Sequence, residues 1–189
     1  VHFLQEFYDY YLKSSKIEYR ILDHKKKNIR VLCTKRGVSL SQMIKGAANT
    51  KDIRGFFCTM LYGFLNMYIA LYVCDGYVGD PALKNFSLEK DGERWLMYIL
   101  DEDLPKPQVD KTIKKEKILW HFGAIWLAIQ KKFAKYHLII GPMECVVFDE
   151  MNKLLQKVMN SSITIKECHH EECRIHSDYM AGKIVSSKN

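Results

Sequence analysis

The chain has 189 residues, of which 48% are hydrophobic, 12% aromatic and 27% charged, with a formal net charge of +7. That much apolar and aromatic material excludes a disordered chain, and six cysteines in this length exclude a disulfide-dense scaffold. One domain with a substantial core is expected, and the basic balance permits a polyanionic partner without requiring one.

Residues 1–15 carry Phe3, Leu4, Phe7, Tyr8, Tyr11 and Leu12 at three- and four-residue spacing, the stripe of an amphipathic helix. It is either a first core helix or an N-terminal arm that packs on a partner subunit. The start at Val1 rather than Met is read as the mark of a piece excised from a longer protein. The globular domain then runs over 16–189.

Residues 16–36 admit two readings. Ile17-Glu18-Tyr19-Arg20-Ile21 alternates as a strand does, and Ile29 to Cys33 follows less cleanly, so a hairpin turning between Asp23 and Asn28 is one. A charged helix through Lys25-Lys26-Lys27 is the other, and it is favoured because little downstream supplies further strands. After Gly37, Ser39 or Ser41 can cap a short helix reaching Ala48, and Thr50 caps the next.

Gly55 to Cys74 is twenty residues without a charge. Its length suits a membrane span. Thr59, Asn66, two glycines and tyrosines spread along it favour a central buried helix instead. Asp75-Gly76 and Gly79-Asp80-Pro81 read as loop, with Gly76-Tyr77-Val78-Gly79 lacking any phosphate-binding fingerprint. Trp95 to Leu100 reads as a short apolar helix closed by Asp101-Glu102-Asp103, and Pro105 and Pro107 rule out helix beyond it. A long helix is predicted over 109–136 and a last strong one from Val146 to Met159. The sum is an all-α fold of six to seven helices around one core.

The tail holds Cys168-His169-His170-Glu171-Glu172-Cys173-Arg174-Ile175-His176, with two of the six cysteines and three of the seven histidines in nine positions. Thiolate and imidazole suit Zn²⁺, which takes four ligands tetrahedrally. Local spacings place two or three of Cys168, His169, Cys173 and His176 on one ion. A further ligand must then come from the body of the fold, with Cys74 the first candidate and Cys145 the alternative. Coordination of this kind contributes on the order of 10 kcal/mol to ordering a tail. Catalytic zinc is disfavoured, because Arg174 stands where His-Glu-x-x-His needs its second histidine and no Pro-Cys-x-x-Cys is present. The remaining cysteines read as small core residues of a reducing compartment. Lys111, Lys114 and Lys115, with Lys25 to Lys27, are either a solvated face or contacts to nucleic-acid phosphates. His24, His121 and His137 have no ligand-spaced partners and read as ordinary packing or surface residues.

Cys168 and Cys173 form Cys-x4-Cys after a helix bearing Leu154-Leu155 and Val158, and Leu4-Gln5-Glu6-Phe7 opens the chain. In these features the sequence resembles the C-terminal domain of the herpesvirus post-transcriptional regulators, multifunctional mRNA export factors made early in infection. Their pattern is His-x3-Cys-x4-Cys with a distant upstream cysteine. The family histidine falls here at Thr164, which cannot replace it. In a second register His169 and Cys173 make His-x3-Cys, and the last ligand falls at Asp178. The resemblance implies a non-enzymatic, homodimeric, mainly helical platform with a structural zinc. It also implies cellular mRNA export adaptors as partners, viral RNA bound mainly by regions upstream, and shuttling between the host nucleus and the cytoplasm. A basic RNA-binding module acting through its own lysines is the alternative.

Overall fold

The structure is a computed structural model that describes residues 18–24, 27–33, 38–47, 53–91, 94–100 and 105–184. The arm over residues 1–15 and the lysines at 25 and 26 lie outside them.

The uncharged stretch forms a helix over Ile53–Val73, the second of five α-helices among the described residues. These are α1 (Leu40–Ala47), α2 (Ile53–Val73), α3 (Lys111–Lys135), α4 (Pro142–Met159) and α5 (Ile165–Met180). Helix α2 is apolar on every side because every side is covered: α4, α3 and α5 pack on it, with two strands. Its length and composition alone would let it cross a membrane, yet most of its side chains lie in the core. Its threonine and asparagine bond back to the helix's own carbonyls. Thr59 Oγ1 donates to Gly55 O at 2.7 Å, and Asn66 Nδ2 donates to Tyr62 O at 3.2 Å. The ring of Phe57 meets Trp126, Phe133 and Tyr179 at 6.0, 6.0 and 6.1 Å, tying α2 to α3 and α5.

Six strands accompany the helices: β1 (Glu18–His24), β2 (Lys27–Cys33), β3 (Gly76–Val78), β4 (Phe86–Asp91), β5 (Arg94–Ile99) and β6 (Pro105–Pro107). They pair as three separate antiparallel ladders, β1 with β2, β3 with β6 and β4 with β5. The molecule is therefore mainly helical rather than all-α, and three expectations are corrected. Glu18–His24 and Lys27–Cys33 pair as antiparallel strands, with Glu18 opposite Cys33 and His24 opposite Lys27, and are not the charged helix. Residues 95–100 belong to a strand and its end, not to a helix. Gly76–Val78 is a strand rather than loop. The helix count is five among the described residues, below the six or seven expected.

The β4–β5 hairpin lies on α2 at Gly63. A methyl placed there would come within 3.0 Å of Leu88 Cδ1 and 3.2 Å of Met97 Cε, so the missing side chain is what lets hairpin and helix approach. Phe86 and Phe64 meet edge-on at 5.1 Å in the same contact.

Helix α5 is the cysteine- and histidine-rich tail. Thr164 caps it in a capping box: Thr164 Oγ1 accepts from Glu167 N at 3.2 Å and Glu167 Oε2 accepts from Thr164 N at 2.7 Å. Its far end is fastened by Tyr179 Oη, which donates to Glu144 Oε1 at 2.6 Å, while the other oxygen of Glu144 accepts from Gly141 N at 2.8 Å. The carboxylate of Glu144 thus joins the start of α4 to the end of α5.

Candidate functional site

Strand β3 ends at Val78, and the chain then runs through Gly79, Asp80, Pro81 and Ala82 into a single 3₁₀ turn, Leu83–Asn85, before β4 begins. The side chain of Asp80 organises this loop. Oδ1 accepts from the backbone N–H of Ala82 at 3.1 Å, and Oδ2 accepts from Asn85 Nδ2 at 3.0 Å. Pro81 supplies the fixed φ that such a turn favours. Asn85 is only 6% exposed and is held from both sides. Its N–H donates to Ala82 O at 2.9 Å, and its carbonyl accepts from Leu100 N at 2.7 Å. The last bond closes the β4–β5 hairpin on the loop, so the chain leaves the hairpin beside Asn85, with Asp101-Glu102-Asp103 next in sequence. The β3–β6 ladder supports the other side, with Gly76 opposite Pro107 and Val78 opposite Pro105. Leu83 and Phe86 are buried and anchor the two ends of the turn. The result is an exposed carboxylate on a braced loop, bonded to one donor of a buried carboxamide whose Oδ1 accepts no protein donor among the described residues.

Helix α3 forms the adjoining wall. Asp110 caps it, Oδ1 accepting from Ile113 N at 2.9 Å. Lys114 is buried and fastens the helix to the α2–β3 turn: its Nζ donates to Tyr72 O at 2.9 Å, pairs with Asp75 and lies 4.4 Å from the Tyr72 ring centre. Asp75 sits at φ 56°, a left-handed value Asp tolerates, and its carbonyl accepts from Gln108 N at 2.6 Å. One turn on, Lys117 places Nζ 4.0 Å above the ring of Tyr77 on β3. A further turn brings His121, 4% exposed, its ring stacked on the same Tyr77 with centroids 6.3 Å apart. Burial holds the imidazole below its ordinary pKa; the charge of Asp80 opposes that shift and the charge of Lys117 reinforces it. His121 therefore senses both charged groups of the wall and loop.

The residues chosen from the sequence as metal ligands lie elsewhere. Cys168, His169, Cys173 and His176 are all on α5, and the helix separates them. Cys168 and Cys173, five apart, point about 140° away from each other. Cys168 is buried, Cys173 is exposed, and His176 is half-buried with its ring 5.7 Å from Tyr62. Helix α5 runs antiparallel to α2, since Tyr179 meets Phe57, His176 meets Tyr62 and Glu172 meets Asn66. Cys74, just past the end of α2, is therefore level with the start of α5, about three turns from Cys173 and further still from His176. Cys145 is half-buried on α4. Thr164, the family's histidine position, is the α5 cap, and Asp178 pairs with Arg174 at 3.3 Å. No three His, Cys, Asp or Glu side chains converge on a metal-sized site among the described residues.

What α5 brings together instead is a buried carboxyl. Glu172 is 0% exposed; Oε1 accepts from Asn66 Nδ2 at 3.0 Å, and Oε2 lies 3.1 Å from Nδ1 of the exposed His169. Burial pushes its pKa up to about 8, against the Asn66 hydrogen bond, which lowers it. The thiols of Cys58 and Cys168 are pushed up to about 12 by burial and then by Glu172.

The lysine cluster also divides. Lys114 is buried and bonded, Lys115 Nζ donates to Asn160 Oδ1 at 3.0 Å, and only Lys111 of the three lies open at the start of α3. His121 is a packing residue, as expected, and His137 is exposed.

The sequence reading took Asp80 only as part of a loop and did not single out Asn85. The signal available was their spacing of five, followed by an alternating Phe86-Ser87-Leu88 segment and a second acidic group at Asp101. Comparison with known proteins finds no matching family model, no matching curated protein and no matching solved structure.

Proposed function

We propose that this chain carries the catalytic loop of a phosphotransferase of the protein-kinase class. One observation carries the reading: Asp80 and Asn85, spaced Asp-x4-Asn, are hydrogen-bonded across a loop whose following hairpin returns to Asn85 and leads into Asp101. That order of groups is what phosphoryl transfer from a nucleoside triphosphate needs. An aspartate accepts the proton of the attacking hydroxyl. An asparagine and a second aspartate, beyond a short hairpin, supply oxygens for Mg²⁺. In this chain Asp80 would be the base, and Asn85 with Asp101 or Asp103 the ligands. The carboxamide fits, because its bond to Asp80 fixes which way the amide faces and leaves the oxygen available, and hard oxygen donors suit Mg²⁺. When bound, the ion would neutralise charge on the transferring phosphoryl group. The acceptor oxygen bonds to the γ-phosphorus, the bond to the β–γ bridging oxygen breaks, the acceptor proton passes to Asp80, and nucleoside diphosphate leaves.

The chain departs from the usual signature. Val78-Gly79 stand where His-Arg commonly precede the aspartate, Glu102 follows Asp101 where Phe-Gly is usual, and no Gly-x-Gly-x-x-Gly is present in the 189 residues. The reading rests on the loop and not on those elements. It is tested by incubating purified protein with Mg²⁺ and γ-labelled ATP and following label into protein or released phosphate. Asp80→Asn should lower transfer by about 10²–10⁴-fold while leaving the thermal midpoint within a few degrees of wild type. Transfer unchanged in Asp80→Asn would overturn it.

A second reading, the homodimerising interaction platform of an mRNA export factor, is favoured by a different observation. Ile113, Trp120 and Leu127, at seven-residue spacing on α3, turn one apolar ridge to solvent, with Trp120 65% exposed. A monomeric mass in solution at concentrations of tens of micromolar would count against that reading and leave the first untouched.

A further inference from the structure

We infer that the solvent-facing ridge of α3 is a docking seam for an acidic amphipathic helix carried by another protein. The inference does not depend on the Asp80 loop, and it gives the ridge an occupant other than a second copy of the chain. Ile118, Phe122, Ile125 and Ile129 turn the inner face of α3 into the core. On the opposite face Ile113, Trp120 and Leu127 are 42%, 65% and 56% exposed. Residues seven apart on a helix drift by only about 20° per step, so the three stand nearly in line. That is the spacing by which one helix presents a seam to another.

Between Trp120 and Leu127 the seam has a hollow. Gly123 and Ala124 stand three and four residues after Trp120, and these four residues make the diamond that accepts one side chain of a facing helix. A methyl placed on Gly123 meets nothing within 4 Å, so the hollow is open. Large residues at its ends and small ones at its floor suit a packed side chain, and fluid lipid has no need of such a shape. The ridge is also narrow, with the charged residues Glu116 and Lys117 between Ile113 and Trp120, whereas a helix lying in a bilayer interface shows a broad apolar face.

Charge selects the partner. The 25 residues of α3 include seven lysines and one glutamate. Lys117 lies beside the ridge just before Trp120, and the exposed Lys131 and Lys135 continue its line about one and two turns past Leu127. A second copy would set this cationic helix against its like, each chain bringing the same net charge of +7. A partner helix with acidic residues about one heptad to either side of its central apolar side chain meets a lysine at both ends of the hollow.

The test is fluorescence anisotropy of a labelled synthetic helix of about three heptads, with leucine along one face and glutamate beside it, against a twin with lysine for every glutamate. Wild type should bind the acidic peptide about tenfold or more tighter than the twin, and added salt should narrow the gap. Trp120→Ala should weaken the acidic peptide by about thirtyfold or more. Gly123→Leu should weaken it comparably without lowering the thermal midpoint, because the new side chain fills the hollow. Lys131→Glu should lower affinity for the acidic peptide and raise it for the twin, and Lys157→Glu, at an exposed lysine on α4, should do neither. Wild type that binds neither peptide, or both equally, would overturn the inference, as would Gly123→Leu that binds like wild type. A dimer in sedimentation that Trp120→Ala breaks would assign the ridge to a second copy. Flotation with phosphatidylserine–phosphatidylcholine vesicles that Trp120→Ala abolishes would assign it to a lipid surface. Either result overturns the acidic helix and leaves the reading of the Asp80 loop untouched.

Discussion

Replacing Glu172 by glutamine should make the protein more stable at pH 8, not less. The side chain lies between α2 and α5, wholly out of solvent, with Asn66, Tyr62 and Cys58 facing it from α2 and Cys168, His169 and Cys173 beside it on α5. Its carboxyl titrates near 8 in the fold and near its ordinary value of 4.5 in the unfolded chain. Between those values the unfolded state has released a proton that the folded state still holds. Stability contributed by this group is therefore full below about pH 4.5 and is lost as pH rises toward 8, at about 1.4 kcal/mol per pH unit. The integrated penalty is on the order of 3–5 kcal/mol. Glutamine keeps the oxygen that accepts from Asn66 and cannot ionise, so the variant escapes that loss. Urea unfolding of both proteins from pH 4.5 to 8.5 reads it directly. The two midpoints should coincide near pH 4.5 and diverge steadily, with the variant ahead. A difference that does not change with pH, or a variant less stable at pH 8.5, would refute the argument. The second of those results is what an ionised Glu172 bound to a cation would give.

Two further substitutions separate the forces that position the tail and the loop. Cys173→Ser should shift stability by no more than about 0.5 kcal/mol, because the thiol is exposed and α5 is fastened through Cys168, Glu172, Ile175 and Tyr179. Loss of several kcal/mol in thermal unfolding, with zinc recovered from wild type by elemental analysis, would instead support the metal-stapled tail. Gly63→Ala should cost about 1–3 kcal/mol, since the added methyl meets Leu88 and Met97 of the hairpin. If that hairpin holds Asn85 through Leu100, phosphotransfer should fall in the same variant by more than its stability loss explains, measured well below its unfolding temperature.

The helices were readable where the sequence left one option. Twenty uncharged residues of this length have to be covered on all sides, and α2 is. The ends of α3 were set by Pro107 before it and by the turn at Tyr136-His137 after it, and the predicted range of 109–136 differs by one or two residues from Lys111–Lys135. The strands were not readable for a physical reason. Leu96-Met97-Tyr98-Ile99 is a short apolar run, buried in strand form between α2 and β4, and periodicity cannot separate such a run from one turn of buried helix. With β5 read as helix, the chain offered no other strands, and the hairpin reading of its first segment lost to the helical one.

The candidate site was obscured by a different confusion, between crowding in sequence and convergence in space. Cysteine and histidine crowd the tail, but a capping box at Thr164 and Glu167 announces a helix there, and a helix turns Cys168 and Cys173 apart. Asp80, Asn85 and Asp101 are scattered over more than twenty residues and look like turn chemistry taken singly. Only the hairpin connects them, by returning the chain to Asn85 at Leu100. A loop of this kind needs its backbone fixed before its side chains can act, which is why the supports are so heavily buried: Leu83 and Phe86 below, Gly63 letting the hairpin close, and Lys114 locking α3 to the turn ahead of β3. Those supports spend core packing and a buried ammonium on a loop whose central carboxylate faces solvent. A turn that merely joined two strands has little need of them, and that disproportion supports the proposal that the Asp80 loop, rather than the cysteine-rich helix, is the working site.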